Sequence, residues 1–326
     1  MNRRHLLTGL AAAAAFPASS FPAPALAATW PTRPIRLVVT FPPGGGSDII
    51  ARLLAPAMQA RLGQPVVVDN RPGAGGTLAA AMVAKEPADG HTLLVANNAP
   101  IVISPAMFPA VGYDPLASFR HIAYVGAFPF VVVVRPDLPA TSLAELVALA
   151  KARGGLSYGS GGTGSVGHIV GLMLARDTGA TFDHVPYRGS GPMLNDLLAG
   201  VFPMAIDALP QQLPHLRAGT FRALAVTAPA RVALIPEVPT MAELGHPGLT
   251  GENWVGLSAP AGVPGPVAER IAAVTAEAAA LPEVIDKLDS MGLNRAPMAP
   301  EAFAAMVSQQ VATWQPAIRA AGLVAN

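Results

Sequence analysis

The chain has 326 residues, 21 basic and 20 acidic side chains for a formal net charge of +1, and no cysteine. This excludes disulfides, a thiolate nucleophile, thiolate metal centres and a lipid anchor on an N-terminal cysteine, and the lack of basic runs argues against nucleic acid or a polybasic membrane surface. With 13% charged and 52% hydrophobic residues, the chain reads as globular, long enough for two lobes of roughly 150 residues each.

It opens with basic Met1-Asn-Arg-Arg4, an apolar stretch from Leu6 to Phe16 and the small-x-small pattern Pro24-Ala-Leu-Ala27. Residues 1–27 are therefore expected to be a signal peptide and the protein to be exported. Arg3-Arg4 ahead of His5-Leu-Leu7 also fits a twin-arginine signal, so both export routes stay open. Cleavage after Ala27 leaves 19 basic residues against 20 acidic ones, a mature charge of −1. Beyond the signal no uninterrupted apolar stretch reaches the ~18 residues of a membrane span.

The β-branched run from Ile35, bounded by Pro34 and Pro42, reads as a buried strand, and Ile49 to Leu62 repeats apolar residues at helical spacing. Between them lies the glycine loop Pro42-Pro-Gly-Gly-Gly-Ser-Asp48. Ser47 or Asp48 is expected to cap the helix, and the glycines leave backbone N–H groups open to an anion. A turn that binds nothing is the alternative. The pattern repeats: strand Pro65 to Asp69, loop Asn70 to Thr77, helix Leu78 to Lys85, then strand Thr92 to Ala96 and Asn97 to Pro100. Such alternation predicts parallel strands with ligands outside their carboxyl ends.

An apolar run within Tyr124 to Pro139 suits a crossing between lobes, and Ser142 to Arg153 is a capped helix with Glu145 in the capping-box position. A second set follows: strand Leu156 to Gly159, loop Ser160 to Ser165 and helix Val166 to Arg176. Strands Phe182 to Tyr187 and Met204 to Asp207 flank a helix from Met193 to Ala199. After strand Phe221 to Thr227 the chain returns somewhere before Gly256, with a short helix at Met241 to Leu244. Two helices are expected to finish it. The last carries Phe303, Met306, Val307, Val311, Trp314 and Ile318 on one face, with a kink at Pro316.

Two glycine loops, one per half, suggest a clamp on an anion. Ser160, Thr163 and Ser165 can donate to a carboxylate or simply cap the helix. Gly159-Ser-Gly-Gly-Thr-Gly164 also matches a dinucleotide loop, but Asp183, the candidate ribose-binding acid, falls inside a strand. P-loop and H-E-x-x-H patterns do not occur, neither Ser165 nor Ser190 stands in G-x-S-x-G, since Thr163 and Arg188 lie two residues before them, and the histidines stand at no metal-ligand spacing. Arg71 and Arg188, each beside a Gly or Pro turn, are the cationic candidates. His168, in a helix first turn, faces the cleft or is structural. Asp48 and Asp207, next to strand ends, read as orienting groups.

The segments Trp30 to Asp48, Gly63 to Gly76, Ala88 to Leu94, Gly162 to His168, His184 to Gly189, Arg222 to Thr227 and Pro236 to Thr240 resemble the Bug-type receptors. These are the extracytoplasmic solute-binding proteins of tripartite tricarboxylate transport systems. The resemblance covers essentially the whole mature chain. It implies an α/β, type II periplasmic-binding-protein fold, two αβ lobes around a ligand cleft, with residues 28–128 and 228–326 in lobe 1 and 129–227 in lobe 2.

It further implies a monomeric, non-catalytic periplasmic receptor, without cofactor, metal or nucleic acid, that binds a dicarboxylate, tricarboxylate, amino acid or aromatic acid and reports to a membrane permease. Its ligand residues would be Phe41, Pro43, Gly44, Gly45, Ser47 and Asp48 in one loop, Asn97 and Asn98 beside it, and Ser160, Gly161, Thr163, Gly164 and Ser165 opposite, with His168, Arg188 and Asp207 nearby. An exported oxidoreductase or hydrolase and an orphan sensory receptor are the alternatives. The chain departs from the family pattern at Asn97-Asn-Ala99, which bears on pocket size and hydrogen bonding, and at Val201-Phe-Pro203.

Overall fold

β-Branched runs build the first strands. In the computed structural model, which describes residues 30–108 and 110–323, β1 (Ile35–Val39) lies parallel between β2 (Val66–Asn70) and β3 (Thr92–Asn97). The expected signal peptide lies outside the described residues. α1 (Gly46–Leu62) follows β1 and α2 (Thr77–Val83) follows β2, while a π-helical turn over Ala99–Ile103 leads from β3 into α3 (Ser104–Met107).

β4 (Phe119–Val134) is 16 residues long and belongs to both halves of the sheet. Its first part, Phe119 to Pro129, pairs antiparallel with β9 (Glu252–Pro260), which also pairs with β3. Its last residues pair with β7 (Met204–Ala208) and β8 (Arg222–Val226). β5 (Leu156–Ser160) lies parallel to β7 and to β6 (Phe182–Pro186). The resulting order is β2-β1-β3-β9-β4-β7-β5-β6, with β8 on β4. α4 (Leu143–Arg153), α5 (Val166–Thr178), α6 (Ser190–Ala199) and α7 (Leu209–Arg217) serve the second half. α8 (Gly265–Ala279), α9 (Pro282–Ser290) and α10 (Pro300–Ala320) follow β9, and α8 and α10 pack back on β4.

Each half has its own core. Trp254 and Phe303, both essentially buried, meet edge to face with ring centroids 5.2 Å apart in the first. Val131, Val133, Met193, Leu197 and Phe202 cluster in the second. Each such side chain contributes ~1.5–3 kcal/mol by leaving water. α4 carries its capping box: Ser142 accepts from the Glu145 N–H at 3.2 Å, and Glu145 accepts from the Thr141 N–H at 2.6 Å.

Three expectations are corrected. α1 is capped by Gly45 with no side-chain bond, and Ser47 and Asp48 lie inside its first turn, because the glycines let the chain turn into the helix before the serine. Met241 to Leu244 is a turn, not a helix: Gly245 at φ +87° ends it after one Leu244 N–H to Thr240 carbonyl bond. Three helices, not two, follow β9 among the described residues, since the stretch at Leu281-Pro282 separates α8 from α9. α10 runs without interruption through Pro316.

Candidate functional site

The carboxyl ends of β1, β3, β5 and β7 meet at one cleft that encloses about 540 Å³, its mouth included. Four helices begin there: Gly45 to Ser47 open α1, Ser165 and Val166 open α5, Gly189 and Ser190 open α6, and Ala208 caps α7. The first-turn N–H groups of a helix have no intrahelical acceptor and carry partial positive charge. No lysine, arginine or histidine is found among the described residues that line the cleft, and Asp207 is its one ionisable side chain. Phe128 and Phe130, alternate residues of β4 and thus on one face, stack with centroids 6.4 Å apart and line it with Phe41. The cleft therefore joins an apolar wall to polar ends rich in backbone donors.

In the first half, Asp48 is buried beneath the loop. Its carboxylate accepts from the Gly44 N–H at 2.9 Å, from the Asn70 amide at 2.8 Å and from Arg52 at 3.0 Å. These donors hold its pKa below the usual carboxylate value against the opposing effect of burial. Asp48 braces the glycine loop and does not line the cleft. Asn97 does line it: its amide donates to Thr40 at 3.2 Å and Ser47 at 3.4 Å, and its oxygen accepts from the Ala99 N–H at 3.0 Å.

The second loop is braced differently. Ser165 accepts from the His168 N–H at 3.2 Å as the α5 cap, and Ser160, fully buried, pairs with Ser165 at 3.2 Å and with His184 Nε2 at 2.7 Å. His168 accepts from the Gly164 N–H at 3.3 Å, and its ring stacks on His184 with centroids 4.0 Å apart. Burial pushes His168 down to about 4 and His184 to about 3, the latter also repelled by its neighbour. Both rings are neutral supports behind the loop.

At the end of β7, Asp207 is 2% exposed. It accepts from the Ser190 hydroxyl at 2.7 Å and the Gln212 amide at 2.9 Å, and burial raises its pKa. At the rim the halves touch. Gln211 donates to the Gly44 carbonyl at 3.4 Å, and Ser104 reaches both the Gly75 and the Gly164 carbonyls.

Of the residues singled out in the sequence, Phe41, Gly45, Ser47, Asn97, Gly161, Ser165 and Asp207 come together on the cleft. Pro43, Gly44, Asp48, Ser160, Thr163, Gly164 and His168 sit in or behind the two loops without lining it, and Asn98 lines a neighbouring cavity instead. Arg188 is exposed and Arg71 pairs with Asp69 at 3.0 Å, neither on the cleft wall. Asp183 pairs in register with Ser157, near the start of β5 and away from the glycine loop, which removes the dinucleotide geometry. No group of three His, Asp or Glu side chains among the described residues is placed to hold a metal.

Phe128, Phe130, Ser190, Gln211 and Asn253 also line the cleft and had no local signal. Only the alternation of Phe128 and Phe130 in an apolar run could have flagged a shared face.

The model of the tripartite tricarboxylate transporter family receptor matches residues 50–323. BugT of Bordetella pertussis is 37% identical over 302 residues, covering 92% of this chain and 93% of that protein. Among solved structures, R. palustris Rpa4515 with adipate has a TM-score of 0.85 at 35% identity, covering 90% of this chain and 98% of that one. MatC from Rhodopseudomonas palustris with bound malate has a TM-score of 0.83 at 32% identity, covering 89% and 100%. The chain shares their type II periplasmic-binding-protein fold, two αβ lobes around a ligand cleft. No helix among the described residues is long and apolar enough to cross a membrane. The chain belongs to the receptor family of the tripartite tricarboxylate transporters.

Proposed function

We propose that the protein is an exported, non-catalytic receptor that captures a small organic carboxylate between its lobes and presents it to a membrane permease. The observation that carries this reading is the convergence of helix N-termini from both lobes on a cleft without a basic side chain. Backbone N–H donors at helix starts bind a carboxylate without a formal counter-charge, which suits capture that must be reversible. Relatives solved with adipate and with malate support an organic acid as ligand. Residues 28–128 and 228–326 act as one lobe and 129–227 as the other, joined near Phe128 to Phe130 and by the return after Thr227. Closure of the lobes on the acid is the state a permease reads. The mature chain works as a monomer in the periplasm, after export by the general secretory or twin-arginine route.

The test is a thermal-shift screen of the purified protein against organic acids and nicotinamide cofactors, with turnover assayed for every hit. A ligand at a hundred times its Kd adds about 2.7 kcal/mol, a rise of several degrees for a chain of this size. A rise with one carboxylate class and no turnover is expected. A cofactor-dependent shift or steady conversion of the bound acid would replace the receptor with an enzyme.

A further inference from the structure

We propose that the cleft selects a monocarboxylate whose far end carries a hydrogen-bond donor, an ammonium, amide or hydroxyl, because the chain's own Asp207 fills the second anion seat. The inference rests on the receptor reading above and deepens it. Two pairs of helix starts face the cleft. At the starts of α6 and α7 the Asp207 carboxylate already occupies the site: the hydroxyl of Ser190, the first residue of α6, donates to it at 2.7 Å, and Ala208, which caps α7, is its chain neighbour. The Gln212 amide adds a second donor at 2.9 Å. Burial raises the Asp207 pKa, and the Ser190 hydroxyl and the Gln212 amide, both donating to the carboxylate, oppose that and favour its ionised form. The starts of α1 and α5 face no such acid: Asp48 lies behind the α1 loop and Ser165 caps α5. These two are left for a ligand carboxylate.

Gln211 points to the same partner chemistry. Its amide nitrogen donates to the Gly44 carbonyl at 3.4 Å, which fixes the amide orientation, since its oxygen cannot face another carbonyl oxygen. That oxygen is buried and has no hydrogen-bond partner among the described residues, and Gln211 lines the cleft with Asp207. An unpaired buried acceptor is costly. A second ligand carboxylate at this end would meet a like charge and an acceptor in a low-dielectric wall, whereas a donor satisfies Gln211 and balances Asp207.

The experiment is titration calorimetry of the whole mature protein at neutral pH with acids paired by methylene chain. The pairs are succinate with β-alanine, glutarate with γ-aminobutyrate, and adipate with δ-aminovalerate, and the hydroxy acid and half-amide of the best pair identify which donor is preferred. The donor-bearing member is expected to bind about tenfold tighter or more, the scale of one like-charge juxtaposition. Asp207→Asn should erase most of that ratio, and Gln211→Leu should weaken the donor-bearing acid alone. The wild-type ratio decides the matter even where a variant folds poorly. Dicarboxylates binding as tightly as their partners would overturn this inference and leave the receptor reading intact; binding of no acid at all would overturn the receptor reading itself.

Discussion

Gly164→Ala tests whether binding depends on lobe closure at the rim. Ser104 lies 3.1 Å from the Gly75 carbonyl oxygen and 3.2 Å from that of Gly164, so one hydroxyl spans two glycine loops. A methyl on Gly164 would stand 2.8 Å from Ser104 Oγ, 2.9 Å from the Phe108 ring and 3.4 Å from Gly75 Cα. On the proposed lobe assignment all three neighbours belong to the first lobe, so the clash is expected only in the closed state. Gly164 also has φ +81°, and a left-handed alanine costs ~1–2 kcal/mol in any lobe arrangement. Gly179→Ala isolates that backbone cost, because Gly179 has φ +64° and nothing within 4 Å of an added Cβ.

Overpacking costs ~1–3 kcal/mol, and a weakened Ser104 bond adds ~0.5–1.5 kcal/mol. A closed-state penalty of about 2 kcal/mol raises Kd roughly 30-fold. Urea unfolding without ligand should show both variants destabilised, while calorimetry with the best-bound acid should show weakened binding only for Gly164→Ala. Equal affinities in the two variants would refute the reasoning.

Ser165→Ala should lose about 1–2 kcal/mol in urea unfolding, because it strips the α5 cap and leaves the buried His168 N–H without its 3.2 Å acceptor. Binding should weaken as well, whereas Thr163→Ala, away from the cleft wall, should leave Kd within about twofold, the effect of a surface change of ±0.5 kcal/mol. Gly167→Ala should destabilise by ~3 kcal/mol or more, since its Cβ would lie 2.1 Å from the Ile206 carbonyl oxygen; a soluble variant with an unchanged melt would contradict this. The histidine pair sets an acid limb. Folding lowers His168 to about 4 and His184 to about 3 from an ordinary 6.5, so the stability of the neutral rings is present above pH 6.5 and lost as pH falls toward 4. Urea midpoints across that range should fall for the wild type and flatten in His184→Gln; equal slopes would exclude the pair as the cause.

The sequence by itself determined the local elements and the loops between them. β-Branched runs such as Ile35 to Val39 and Val66 to Val68 have few conformations open to them but the strand, and Ser142 with Glu145 writes a helix start in one turn of chain. Phe41, Gly45, Ser47, Asn97, Gly161, Ser165 and Asp207 were nameable because strand ends and glycine loops are encoded within a few residues of one another. Only the tertiary structure decided which of these residues line the cleft. Asp48 and Ser160 carry the polar groups a site needs, yet they turn behind their loops because buried N–H and hydroxyl groups there demand partners. Phe128 and Phe130 look like ordinary core residues until β4 crosses from one half-sheet to the other and exposes that face to the cleft. Gln211 meets Gly44 across 167 residues of chain, and the Asp207 carboxylate faces the same cavity as α1 only once the lobes meet. Distances of that kind depend on how the two αβ sets close on each other, and no local pattern records them.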